Sequence, residues 1–77
     1  MSRKPKHEEE RVANRIELLR TQVGLSRQEL ADRVGVHYQT IGYLERGEYS
    51  PSLVLALKIA AALGSSVDSV FSLESGD

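Results

Sequence analysis

The chain has 77 residues, with 10 Lys/Arg against 11 Asp/Glu and a formal net charge of −1, and a chain this short forms one small domain. It has no cysteine and only two well-separated histidines, which excludes disulfides and thiolate metal sites and argues against a zinc site, so we expect no metal or cofactor. No apolar run reaches the roughly 18 residues of a membrane span and no signal-type apolar segment opens the chain, so we expect a cytoplasmic protein.

The first part of the chain divides into an arm and a helix. Residues 1–7 are polar or basic without an apolar pattern, which is typical of a disordered arm or a cloning remnant. Helix 1 is predicted to begin near Glu8 and to stop at Gly24. The spacing of Val12, Ile16 and Leu19 gives this helix one buried stripe.

Residues 27–46 have the pattern of two helices joined by a tight turn. Ser26 and Glu29 form a capping box that starts helix 2. Ala31 is small enough for a second helix to cross closely, and Gly35 supplies the positive φ that the turn needs. Helix 3 is predicted from Tyr38 to Arg46. The inward positions of the pair are all apolar: Leu30, Val34, Val36, Ile41 and Leu44.

Two further helices complete the predicted domain, which spans residues 8–73. Helix 4, over 53–63, is apolar nearly all round, so it is expected to be buried on more than one side, one of which a second protomer could cover. Helix 5 is short, at about 67–73, and residues 74–77 look frayed. Because no segment shows a strand signal, the predicted fold class is all-α with five helices.

The charges are distributed unevenly along the chain. Residues 1–46 hold nine Lys/Arg against seven Asp/Glu, a balance of +2, whereas residues 47–77 hold one lysine against four acidic residues, a balance of −3. This polarity indicates one face suited to phosphate and another suited to a different partner. The alternative is an ordinary surface of mixed charge.

The stretch from Asn14 to Phe71 resembles the Cro/CI-type (XRE-type) helix-turn-helix domains of phage repressors and bacterial regulators. The matching strings are NRIELLRTQVGLSRQELADRVGV, TIGYLERGEYSPSL and ALKIAAALGSSVDSVF, in that order. The resemblance implies a five-helix fold like that of lambda repressor, with helix 3 in the major groove of DNA.

The resemblance also implies a role for particular residues. Base edges would be read by the start of helix 3 and a position one turn later, namely His37, Tyr38, Gln39 and Tyr43, with Thr40 close by. Phosphates would be held by Ser26, Arg27, Gln28 and Arg46. An ion pair between Arg20 and Glu45 would hold helix 1 against helix 3.

The sequence departs from the family pattern at three places. The loop after helix 3 is usually basic, but here it begins with Glu48, which weakens the expected grip on phosphate. His37 replaces the usual Ser or Thr cap. Gly42 lies within helix 3, where it either lets the backbone approach the DNA or is a neutral change that costs roughly 1 kcal/mol against alanine.

The residue chemistry favours binding over catalysis. The Gln39 amide can form a bidentate pair with adenine N6 and N7, and Arg27 lies where backbone N–H groups and a side-chain charge can share one phosphate. No nucleophile–base set, carboxylate pair or phosphate-cradling glycine loop has workable spacing, so we expect no enzyme activity.

The sequence predicts a DNA-binding transcriptional regulator, most simply a repressor that acts as a homodimer. The predicted dimer interface uses helix 5 and the end of helix 4, with candidates Val67, Val70, Phe71 and Leu73, although Phe71 could instead close the core. The alternative is a protein-interaction module, such as an antitoxin or assembly partner, that keeps the fold but binds DNA weakly.

Overall fold

The computed structural model describes residues 12–74 of the chain. The predicted arm at 1–7, residues 8–11 and most of the predicted frayed end lie outside this range. The described residues form five helices and two short strands: β1 (Val12–Asn14), α1 (Ile16–Gln22), α2 (Arg27–Val34), α3 (Tyr38–Glu45), α4 (Leu53–Ala62), α5 (Val67–Val70) and β2 (Phe71–Leu73).

A two-stranded antiparallel sheet joins the two ends of the described chain, so the all-α prediction was wrong in this respect. Val12 pairs with Leu73 and Asn14 with Phe71. Each strand has three residues, too few to show the alternating pattern by which a strand is recognised in a sequence. The pairing also ends α5 at Val70, where the sequence had predicted a helix continuing to Leu73.

Helix α1 begins at Ile16 rather than near Glu8, because the chain before it is fixed by tertiary contacts. The Asn14 side-chain oxygen accepts a hydrogen bond from the Ile16 backbone N–H at 3.0 Å, and its amide donates to the Leu44 carbonyl at 2.8 Å. The Arg15 backbone N–H donates to the Val70 carbonyl at 2.8 Å. These bonds connect the start of α1 to the ends of α3 and α5.

The two central helices have the local structure that the sequence predicts. Ser26 and Glu29 form the complete capping box at the start of α2. Gly35 ends α2 with φ 80°, a left-handed conformation that is costly for a residue with a Cβ. The Gly35 N–H donates to the Ala31 carbonyl at 2.8 Å. The turn therefore fixes the angle at which α3 leaves α2.

One hydrophobic core lies between the five helices. Its largest fully buried side chains come from every helix: Ile16, Leu30, Ile41, Leu44, Ile59 and Val70. Because α1 and α2 pack against the inner side of α3 and its Ile41 and Leu44 are buried in the core, the outer side of α3 faces solvent.

Helix α4 has two different faces. Ala56, Ile59 and Ala60 are buried in the core, whereas 71% of Leu53 and 52% of Leu57 remain exposed. Residues 12–74 therefore cover only one side of this apolar helix and leave large apolar side chains exposed on the other. No helix among residues 12–74 is long and apolar enough to cross a membrane.

Candidate nucleic-acid interface

The exposed side of α3 and the start of α2 enclose a surface pocket of about 160 Å³. It is lined by Arg27, Tyr38, Gln39, Gly42, Tyr43 and Arg46. The pocket thus combines two cations, one amide and two aromatic hydroxyls on a surface that the core beneath α3 holds in place. These groups suit a ligand that carries both phosphate and hydrogen-bonding base edges.

The first turn of α3 is held by its own cap. The His37 Nδ1 atom accepts a hydrogen bond from the Gln39 backbone N–H at 3.1 Å, so histidine does serve as the N-cap. Its ring stacks on Tyr38, with ring centroids 5.0 Å apart. The Gln39 side chain is left exposed at the pocket, where both ends of its amide can meet a base.

Glu45 joins two arginines at the base of the interface. Its side chain is only 2% exposed, and its carboxylate accepts from Arg20 Nε at 2.8 Å and from Arg27 Nε at 2.9 Å. Arg20 also donates to the Leu25 carbonyl at 2.9 Å. The Arg20–Glu45 pair named in the sequence is therefore present, and it extends to Arg27 at the start of α2.

The contact with Glu45 holds Arg27 in position and also shifts its pKa. The hydrogen bond to Glu45, and then the charge of Glu45, raise the pKa of Arg27 above its ordinary value. Arginine is protonated at any working pH even without this shift. Arg27 therefore offers a permanent positive charge at the edge of the pocket.

Arg46 lies across the other edge of the pocket and has several partners. Its Nε donates to Glu48 at 3.1 Å, and its guanidinium carbon lies 5.3 Å from the centre of the Tyr43 ring. A Cβ added at Gly42 would come within 3.3 Å of Arg46 Nη1. Glycine at this position therefore leaves the room in which the guanidinium lies against α3.

The structure brings together five of the nine residues predicted to meet DNA, which are Arg27, Tyr38, Gln39, Tyr43 and Arg46. The other four do not line the pocket. Ser26 and His37 are engaged as helix caps, Gln28 donates to Asp32 at 2.9 Å, and Thr40 is half-buried.

The predicted dimer residues divide between the core and the surface. Val70 is fully buried within the single chain, so the structure makes it a core residue rather than an interface residue. Val67 and Phe71 are half-buried against the same core, whereas Leu73 is 68% exposed. The sheet explains the difference, because β2 carries Leu73 away from the core.

Sequence reasoning missed two contacts that control the charges of the interface. The Arg27–Glu45 contact joins residues 18 positions apart, and no local pattern reveals such a contact. The Arg46–Glu48 pair could have been predicted from the sequence. Opposite charges flank Gly47 at the end of a predicted helix, where the chain turns back.

Comparison with known sequences identifies the helix-turn-helix family to which this chain is similar. The helix-turn-helix family HTH_3 matches residues 16–70. An uncharacterized HTH-type transcriptional regulator of Methanothermobacter thermautotrophicus is 54% identical over 56 residues, covering 71% of this chain and 81% of that protein. The uncharacterized HTH-type transcriptional regulator YgzD of Bacillus subtilis is 44% identical over 61 residues, covering 79% of this chain and 92% of that protein.

Comparison with solved structures leads to the same family. The restriction-modification controller protein C.AhdI from Aeromonas hydrophila superposes with a TM-score of 0.68 at 40% identity, covering 71% of this chain and 83% of that one. The chain therefore belongs to the HTH_3, or XRE-type, family of helix-turn-helix transcriptional regulators.

Proposed function

We propose that the chain is a transcriptional repressor that binds double-stranded DNA as a homodimer, without catalytic activity. The observation that carries the proposal is the pocket, where Gln39 and two tyrosines lie between Arg27 and Arg46. Side chains that read bases thus lie between cations that hold the backbone, as a helix in a major groove requires.

The charge balance of the site supports a moderate affinity. Arg20, Arg27 and Glu45 together carry two positive charges and one negative, while Arg46 and Glu48 cancel. Each protomer thus brings only a small positive excess to the duplex. We expect binding to depend more on base contacts than it does in strongly basic proteins of this kind.

Replacing Arg27 is expected to weaken binding to every duplex sequence by the same factor. Arg27→Ala removes a charge that Glu45 holds at the edge of the pocket. We expect the slope of log K against log salt concentration to flatten by about one unit per bound protomer. Fluorescence anisotropy measures the affinity of the wild type and the variant at several salt concentrations, on duplexes from the region upstream of the protein's own gene. The wild-type affinity tests the proposed function, and the difference between the two salt slopes tests the role of Arg27.

Arg33→Ala is the matched control, because Arg33 lies on the same helix but does not line the pocket. It should leave the slope close to that of the wild type. Equal slopes in all three proteins would remove Arg27 from the phosphate contacts. No binding of the wild type to any duplex at low salt would refute the proposed function itself.

A homodimer is proposed because large apolar side chains are exposed on the part of the chain that the structure describes. Leu53, Val54 and Leu57 project from one side of α4, and Leu73 projects from β2, each more than half exposed. A two-fold axis through one of these patches would leave both α3 helices free, and would need to set them about 34–36 Å apart to meet successive turns of DNA.

Sedimentation at micromolar concentration is expected to show a dimer. Leu57→Asp and Leu73→Asp form a matched pair that identifies the interface, because each places a charge on one candidate patch. The variant that sediments as a monomer marks the contact, and the other should remain dimeric. A wild-type monomer of 8.5 kDa, both free and on DNA, would refute the dimer.

The alternative function, holding a partner protein, is favoured by the same uncovered face of α4. An apolar patch of this kind is typical of protein contacts. The variant Arg27→Ala distinguishes the two functions. Binding of a partner protein through α4 should be unchanged in this variant, whereas binding of DNA through the pocket should weaken.

A further inference from the structure

We propose that Glu48 is an intramolecular competitor for Arg46 and sets the affinity of the pocket for DNA phosphate. The proposal rests on the proposed DNA-binding function and concerns the same site. In the free protein the Glu48 carboxylate occupies the guanidinium edge that a phosphate would use. Binding of phosphate at Arg46 therefore requires Glu48 to be displaced.

The end of α3 places Glu48 beside Arg46. Gly47 has φ 76°, and its N–H donates to the Leu44 carbonyl at 3.0 Å. The Glu48 N–H donates to the Tyr43 carbonyl at 2.9 Å. These two bonds form the turn that ends many helices, in which a left-handed glycine folds the chain back on the last turn. The backbone of Glu48 is therefore fixed at a position from which its carboxylate reaches the Arg46 guanidinium.

The ion pair uses the side of the guanidinium that is best suited to a phosphate. Arg46 Nε and Nη2 lie 3.1 and 3.4 Å from the two Glu48 oxygens. This two-point arrangement is the one that arginine makes with carboxylates and with phosphates alike. The remaining nitrogen, Nη1, faces Gly42. The carboxylate thus stands in the structure where a phosphate would otherwise bind.

Arg27, on the opposite edge of the pocket, provides the contrast. It donates to Glu45 through Nε alone, at 2.9 Å, and its two outer nitrogens make no hydrogen bond to any residue in the range 12–74. Glu45 is also shared with Arg20, so this side keeps a net positive charge. Of the two pocket arginines, only Arg46 must give up a two-point partner before it can bind phosphate.

The expected size of the effect follows from the exposure of the pair. The side chains of Arg46 and Glu48 are 49% and 54% exposed, and exposed ion pairs are weak and screened by salt. Displacing Glu48 and leaving its charge near the duplex should together reduce affinity about threefold to tenfold at low salt.

The test is Glu48→Gln, which keeps the shape of the side chain and removes its charge. On one duplex that the wild type binds, we expect the variant to bind about threefold to tenfold more tightly at low salt. The salt dependence should steepen by up to about one unit per protomer, since Arg46 becomes able to neutralise a phosphate fully. The melting temperature should change little, because both side chains are exposed.

Two comparisons separate competition for Arg46 from simple charge repulsion. In an Arg46→Ala background, Glu48→Gln should give a much smaller gain, because no guanidinium remains to be released and only the repulsion between Glu48 and the duplex is removed. Glu74→Gln removes an exposed charge at the other end of the described chain and should leave affinity nearly unchanged. Glu48→Ala should repeat the gain of Glu48→Gln.

The outcomes distinguish failure of this inference from failure of the proposed function. If the wild type binds DNA and Glu48→Gln binds equally well, only the role of Glu48 is refuted. A gain of the same size in the absence of Arg46 refutes competition as its cause. If neither the wild type nor Glu48→Gln binds any duplex at low salt, both the proposed DNA binding and the role of Glu48 are refuted.

Discussion

Glu45→Ala is expected to lower the free energy of unfolding by about 3–5 kcal/mol, the usual cost of removing one partner of a buried ion pair. The Glu45 side chain is 2% exposed and that of Arg20 is 10% exposed, so the Arg20 charge would remain in the protein without its partner. For a domain of this size the loss corresponds to a fall in melting temperature of roughly 12–40 °C. Thermal and urea unfolding followed by circular dichroism measure it.

The matched control for this prediction is Glu48→Ala, which removes a glutamate that also pairs with an arginine near the end of α3. Because both side chains of that pair are about half exposed, we expect a change below about 1 kcal/mol. If both variants lowered the melting temperature by the same amount, burial would not be the cause. Arg20→Ala is expected to be milder than Glu45→Ala, since Glu45 would keep Arg27 as a partner.

Gln39→Ala is expected to remove base preference at one position of each half-site, at a cost of about 1–3 kcal/mol there. The Gln39 amide is exposed at the pocket, beside Tyr43 and between two arginines. An alanine at this position cannot pair with N6 and N7 of adenine, so all bases become nearly equivalent. Binding-site selection with both proteins, followed by affinities on the selected duplexes, measures the change.

Gln28→Ala provides the corresponding control. Gln28 lies on α2, where its amide donates to Asp32 rather than lining the pocket. Any loss of affinity in that variant should be the same for all sequences, with the selected bases unchanged. Identical selected sequences from the wild type and Gln39→Ala would show that Gln39 does not read bases.

Much of the fold could be predicted because its signals are local. The Ser26–Glu29 capping box and the apolar spacing of α2 and α3 depend on neighbours within a few residues, and so does the positive φ of Gly35. The five helices were therefore expected from the chain, although α1 was predicted to begin near Glu8 rather than at Ile16, and α5 to run to Leu73 rather than to Val70.

The strands could not be predicted because each is short and pairs with the other end of the domain. Val12 and Ala13 fit the apolar stripe of a helix equally well in the sequence. Their pairing with β2, together with the Asn14 bond to the Leu44 carbonyl, decided against a helix. The same pairing placed Val70 in the core and left Leu73 exposed.

The sequence by itself determined the helix-turn-helix unit and the residue types on its outer side, because helical periodicity fixes which residues share a face. The tertiary structure alone decided which charges on that face are available to a ligand. Glu45 reaches Arg27 from 18 positions away, and the turn at Gly47 brings Glu48 onto Arg46. Ion pairs depend on distances of a few ångströms between side chains, and only the folded chain sets those distances.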